Sequence, residues 1–169
     1  MIGMRRNFIA ALLFVIILQA ACSFRFYYVV VNSSNDPVTV EYRFKKLPGA
    51  EEWKKKGLTD PDYFFFFIEP QLERLKDLEE DSGAWRMAPE GQVVRNAAEG
   101  ELKITIQPGE VLQVYSDDGH AISDTNGAKD FPIANISLAG GKGKMSFEGE
   151  LIIKQFSELE GRIYQIRYE

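Results

Sequence analysis

The chain has 169 residues, 20 basic and 25 acidic side chains, and a net charge of −5. An acidic chain of this size suits one domain with a real core. It argues against nucleic-acid binding and against a polybasic hold on anionic lipid. The single histidine and single cysteine exclude a Cys/His zinc site and an internal disulfide.

The first element is a leader. Arg5 and Arg6 precede an apolar run from Phe8 to Leu18, which closes in Gln19-Ala20-Ala21-Cys22. A positive start, a short apolar core and a small-residue end are the parts of a secretory signal peptide. The run is shorter than the roughly 20 apolar residues needed to span a bilayer. The stretch Met1 to Ser23 resembles the leader of bacterial lipoprotein precursors, whose lipobox ends in an acylated cysteine. It departs from the usual pattern at Gln19, where Leu is commonest, with Leu18 one position early. The resemblance implies cleavage before Cys22, three acyl chains on that residue, and a membrane held through them. Ser23 is not the Asp that retains such proteins at the inner membrane, which implies an outer membrane in an organism that has one. Several acyl chains anchor stably where one does so marginally.

Residues 1–21 are thus expected to be a signal peptide, and 22–169 a single domain anchored at Cys22. That body is rich in Phe and Tyr, as a β-rich core would be. Phe24 to Val31 is β-branched and aromatic throughout. The turn-forming run Asn32 to Pro37 follows, and then Val38 to Phe44 alternates apolar with polar. The pair predicts an antiparallel hairpin. No flexible tether separates Cys22 from this first strand, so the body is expected close to the membrane surface.

An insert, 45–81, breaks the β rhythm. Ala50 to Lys56 reads as a short helix closed by Gly57. Tyr63 to Ile68 reads as a strand paired with the body. Leu72, Leu75 and Leu78 recur every three residues, predicting an amphipathic helix over Pro70 to Glu80. The polar segment around Trp53 is the expected functional surface of the insert.

Beyond it, Gln92 to Arg95, Glu101 to Ile106 and Val111 to Ser116 read as strands. Gln107-Pro108-Gly109-Glu110 fits a type II turn. Type II turns splay a tight hairpin, so this one is expected to arch between two sheets. The stretch resembles the Pro-Gly corner of many immunoglobulin-like domains. Asp117 to Asp130 reads as a polar loop, Ile133 to Leu138 as a strand, and Met145 to Phe156 as a long strand with Met145, Phe147, Leu151 and Ile153 on one face. Ser157 to Gly161 reads as a turn, and Ile163 to Tyr168 as a closing strand with Tyr164, Ile166 and Tyr168 inward. The sum is a mainly β chain, an antiparallel β-sandwich of immunoglobulin-like character with a short helical insert.

Little here suggests catalysis. His120 lies in a polar loop with no nucleophile or orienting acid implied by sequence, so no enzyme and no cofactor are expected. Asp117, Asp118, Asp124, Asn126 and Asp130 gather oxygen ligands of the kind Ca²⁺ takes. Gly127 comes too early for an EF-hand, however, and Asn135 stands where its twelfth-position Glu would be, so these residues read as a turn. Gly140 to Ser146 lacks the hydroxyl residue directly after Gly-Lys and precedes a strand, unlike a phosphate loop. Trp53 and Trp85 are the candidate binding residues, since exposed aromatics stack on sugars or anchor partners. The expectation is an exported, lipid-anchored, non-catalytic envelope protein whose partner is another envelope protein or a glycan. The alternative is an anchored binder of a small ligand such as a carbohydrate.

Overall fold

The computed structural model describes residues 25–46, 70–79, 85–118 and 131–169. The described residues form two sheets packed face to face, a mainly β sandwich. One sheet has six strands in the order β10 (Ser157–Glu160), β11 (Ile163–Tyr168), β1 (Arg25–Asn32), β7 (Glu110–Asp118), β3 (Gln71–Arg74) and β4 (Arg86–Met87). The other has five, in the order β5 (Val93–Asn96), β6 (Glu101–Ile106), β2 (Val38–Phe44), β8 (Ile133–Gly140) and β9 (Gly143–Glu148). Every pairing is antiparallel except β1 with β11, so the first and last described strands run side by side in parallel.

Burial explains the placement of β1. Val29, Val30 and Val31 are all fully buried, so both faces of the strand are covered. A run without alternation suits the middle of a sheet covered on both sides. Strand β2 keeps the alternation its sequence carries: Val38, Val40, Tyr42 and Phe44 are buried, while Arg43 is exposed. The hairpin expected between these two strands is not formed. They lie in different sheets, and residues 33–37 cross from one to the other. Asn32, fully buried, holds the crossing. Its Nδ2 donates to the carbonyls of Asp36 at 2.9 Å and Ile106 at 3.2 Å, and its Oδ1 accepts from the Ser34 backbone N–H at 3.0 Å. A side chain that ties three segments makes an arch where a local turn would have made a hairpin.

The Pro-Gly turn behaves as expected. Gly109 has φ +74, the left-handed value a type II turn requires at its third position, and Glu110 N–H donates to Gln107 O at 3.0 Å. The turn carries the chain from β6 in one sheet to β7 in the other.

The core between the sheets has an aromatic end. Tyr28 stacks on Tyr164 at 5.4 Å and meets Phe131 and Phe156 edge-on, both at 5.3 Å. Tyr164, Ile166 and Tyr168 pack inward, as the closing strand's pattern predicts. A second apolar cluster lies on the outer face of the six-stranded sheet. There Val29, Val31 and Val111 are covered by Leu78, with Leu75, Trp85 and Ile163 alongside.

Three further expectations are corrected. Leu72 belongs to strand β3 and faces the inner core; the helix, α1, is only Leu75–Glu79, so Leu75 and Leu78 alone lie over the outer face. Pairing with β7 takes the first residues of the predicted helix into the sheet. The predicted strand Met145 to Phe156 ends at Glu148. Gly149 at φ +57 starts two successive 3-10 turns, Gly149–Leu151 and Ile153–Gln155. These carry the chain across the side of the sandwich from β9 to β10. Ile152 is therefore buried in the core, and Leu151 is 56% exposed. Ser157 to Glu160, read as a turn, forms strand β10 against β11.

Candidate functional site

The two ends of the sandwich differ. Strand β1 enters at Arg25, opposite Asp118, and leaves at Asn32, beside the Pro-Gly turn. At the Asn32 end, β3 finishes on Arg74, opposite Glu110. The turn is fixed from both sides: Gly109 N–H donates to Asn32 O, and Leu75 N–H donates to Gly109 O, each at 2.8 Å. Glu110 then holds two partners, accepting from Gln107 N–H at 2.8 Å and from the Arg86 guanidinium at 2.6 Å. Between this turn and the start of α1 lies an open groove of about 540 Å³, lined among the described residues by Leu75 and Pro108 and by the cations Arg74, Lys76 and Arg86. Of these cations Arg86 is paired with Glu110, Lys76 has a partner of its own, and Arg74 carries the positive charge that no described side chain offsets. The Arg74 side chain is exposed and makes no hydrogen bond or ion pair among the described residues.

Trp85 is half-buried. Its ring stacks on Tyr27 at 5.9 Å with planes 19° apart, above the outer cluster of the six-stranded sheet. It thus lies on the same sheet as the groove but is not one of the groove's lining residues. Asp117 and Asp118 belong to strand β7 and pair with Phe26 and Arg25, so the polar loop begins later than its sequence suggests. Cys22, Trp53, His120, Asp124, Asn126 and Asp130 lie outside the described residues, as do Ala50 to Lys56 and Tyr63 to Ile68. Among the described residues no group of three His, Cys, Asp or Glu side chains could hold a metal ion, and no helix is long and apolar enough to cross a membrane.

Burial pushes the Tyr42 phenol well above its ordinary value, and the positive field of Arg95 offsets this only in part. Its hydroxyl has no hydrogen-bond partner among the described residues. This is an apolar environment acting on a core side chain, remote from the groove.

The groove leaves no contiguous signal in the sequence. Its charges come from β3, α1, β4 and the 107–110 turn, and no spacing in the chain connects them. The one local trace is the pair Arg74 and Lys76 within an acidic stretch. Comparison of the chain with protein-family models, with curated proteins and with solved structures finds no match in any of the three.

Proposed function

We propose that this is an exported, lipid-anchored envelope protein that works by binding, without catalysis, and that displays its β-sandwich to another envelope component. The observation that carries the reading is the junction of leader and fold. The only cysteine closes an export-type leader, and three residues later the chain enters β1, a strand paired on both sides within the six-stranded sheet. An acyl group on Cys22 would hold the sandwich by one of its central strands. A lone cysteine in an oxidising compartment is otherwise a liability.

In this arrangement the Arg25 end of the sandwich faces the membrane and the Asn32 end faces away. Strand β1 has eight residues, so at ~3.3 Å per residue the two ends stand about 25 Å apart. The partner surface is then the distal end, where the arch 33–37, the 107–110 turn and the positive groove lie together.

The test is acylation. Cells expressing the chain are fed a fatty-acid analogue and fractionated. The wild-type chain should be labelled and membrane-bound, whereas Cys22→Ser should lose the label and release the body. Labelling retained in Cys22→Ser would overturn the reading.

A further inference from the structure

We infer that the groove between the 107–110 turn and α1 is a binding site for a small ligand carrying an oxyanion, a carboxylate or a phosphate, with Arg74 as its primary contact. The site stands on the described geometry. Only the origin of the ligand, away from the anchoring membrane, rests on the envelope reading. The two arginines of the groove differ. Arg86 is committed to Glu110, whose other carboxylate oxygen is held by the backbone of the turn. Arg74 is opposite that same Glu110 in register, exposed, and without a side-chain partner among the described residues. A guanidinium offers a planar fork that matches a carboxylate or phosphate with two parallel hydrogen bonds. Glu110 fixes Arg86 beside the opening, so its charge is in place before a ligand arrives, which lowers the ordering cost of binding.

The cavity fits such a ligand in size and lining. Its volume of about 540 Å³ lies within the roughly 300–1,000 Å³ of small-molecule sites. Leu75 and Pro108, which line the same groove, offer apolar surface for the body of the ligand. The chain as a whole is acidic and would repel an anion, so the uncompensated charge of Arg74, beside Arg86, favours an anion in this cleft.

The experiment uses the full chain in detergent, with ¹⁵N-labelled arginine and glycine. It is titrated at constant ionic strength with inorganic phosphate in one arm and with acetate in the other. The expected result is saturable shifts of the Arg74 and Arg86 side-chain N–H signals and of the Gly109 amide. Arg74→Gln should weaken binding at least tenfold. Lys144→Gln removes an exposed charge from β9, outside the groove, and should change it less than twofold. Arg86→Gln serves as a second groove variant, with the dispersion of the remaining signals reporting that the fold is intact. Saturation by phosphate alone, acetate alone, or both would support the site and name its ligand chemistry. Absence of saturable shifts in both arms, or an equal loss in Lys144→Gln, would overturn it. Neither arm involves a membrane or Cys22, so failure here is separate from failure of the anchor.

Discussion

Tyr42 is the residue at which burial and polarity conflict most openly. It is fully buried, its hydroxyl lacks a hydrogen-bond partner among the described residues, and its ionisation is pushed to high pH by desolvation. A buried polar group left unsatisfied costs about 1–3 kcal/mol. Tyr42→Phe keeps the ring and its edge-on contact with Phe44 while removing that group. Chemical denaturation should show the variant as stable as the wild type or more so, by up to about 2 kcal/mol. The pH dependence has a definite sign. Below about pH 10 the phenol is neutral in both states and contributes no slope. Above that, the unfolded chain releases the proton and the folded chain does not, so stability falls as pH rises. Tyr42→Phe should lose this part of the alkaline decline. A variant clearly less stable than wild type at neutral pH would mean that the hydroxyl has a partner after all.

Among the elements, the sequence was most legible where a strand has one wet face. Strands β2 and β6 have the bounds their alternation predicts, because each shows period two against the core; β11 also has its predicted bounds, although Ile163 and Gln165 are covered on its other face. The Pro-Gly turn was legible because its φ requirement is local. What alternation cannot report is the partner of a strand. That is why β1 and β2 read as a hairpin, although the buried Asn32 sends them to different sheets. Leu72 was misread for a related reason: spacing by threes fits a helix, but pairing with β7 decides its fate. The groove was illegible because it is assembled from four segments.

The segment after β9 separates a turn from a continuous strand by mutation. A continuous strand with Met145 and Phe147 inward would also have buried Leu151. The positive φ at Gly149 turns the chain, and the plug of the core becomes Ile152. Ile152→Ala should cost about 2–4 kcal/mol, as removal of a fully buried aliphatic side chain does. Leu151→Ala should change stability by less than about 0.5 kcal/mol, as expected of an exposed position. Urea denaturation of both variants is sufficient. The reverse order would restore the strand.

Among the described residues the sandwich is polarised along β1. Its Arg25 end is where the chain arrives from the proposed leader, while its Asn32 end carries the crossing loop, the Pro-Gly turn and the positive groove. Under the proposed anchoring, this polarity divides the labour: one end is held and the other is available to an envelope partner. The acidic composition of the chain offers no polybasic attraction to lipid, so under the proposed anchoring orientation would rest on the covalent anchor.

The most direct measurement is therefore of orientation in the full acylated chain reconstituted into liposomes. A single fluorophore is placed at Glu99→Cys, in the exposed turn at the Arg25 end, or at Asn35→Cys, in the exposed crossing loop at the Asn32 end. Energy transfer to an acceptor-labelled lipid is then compared. With the ends about 25 Å apart along β1, strong transfer is expected from position 99 and markedly weaker transfer from position 35. Equal transfer from the two positions, or stronger transfer from position 35, would contradict the proposed orientation.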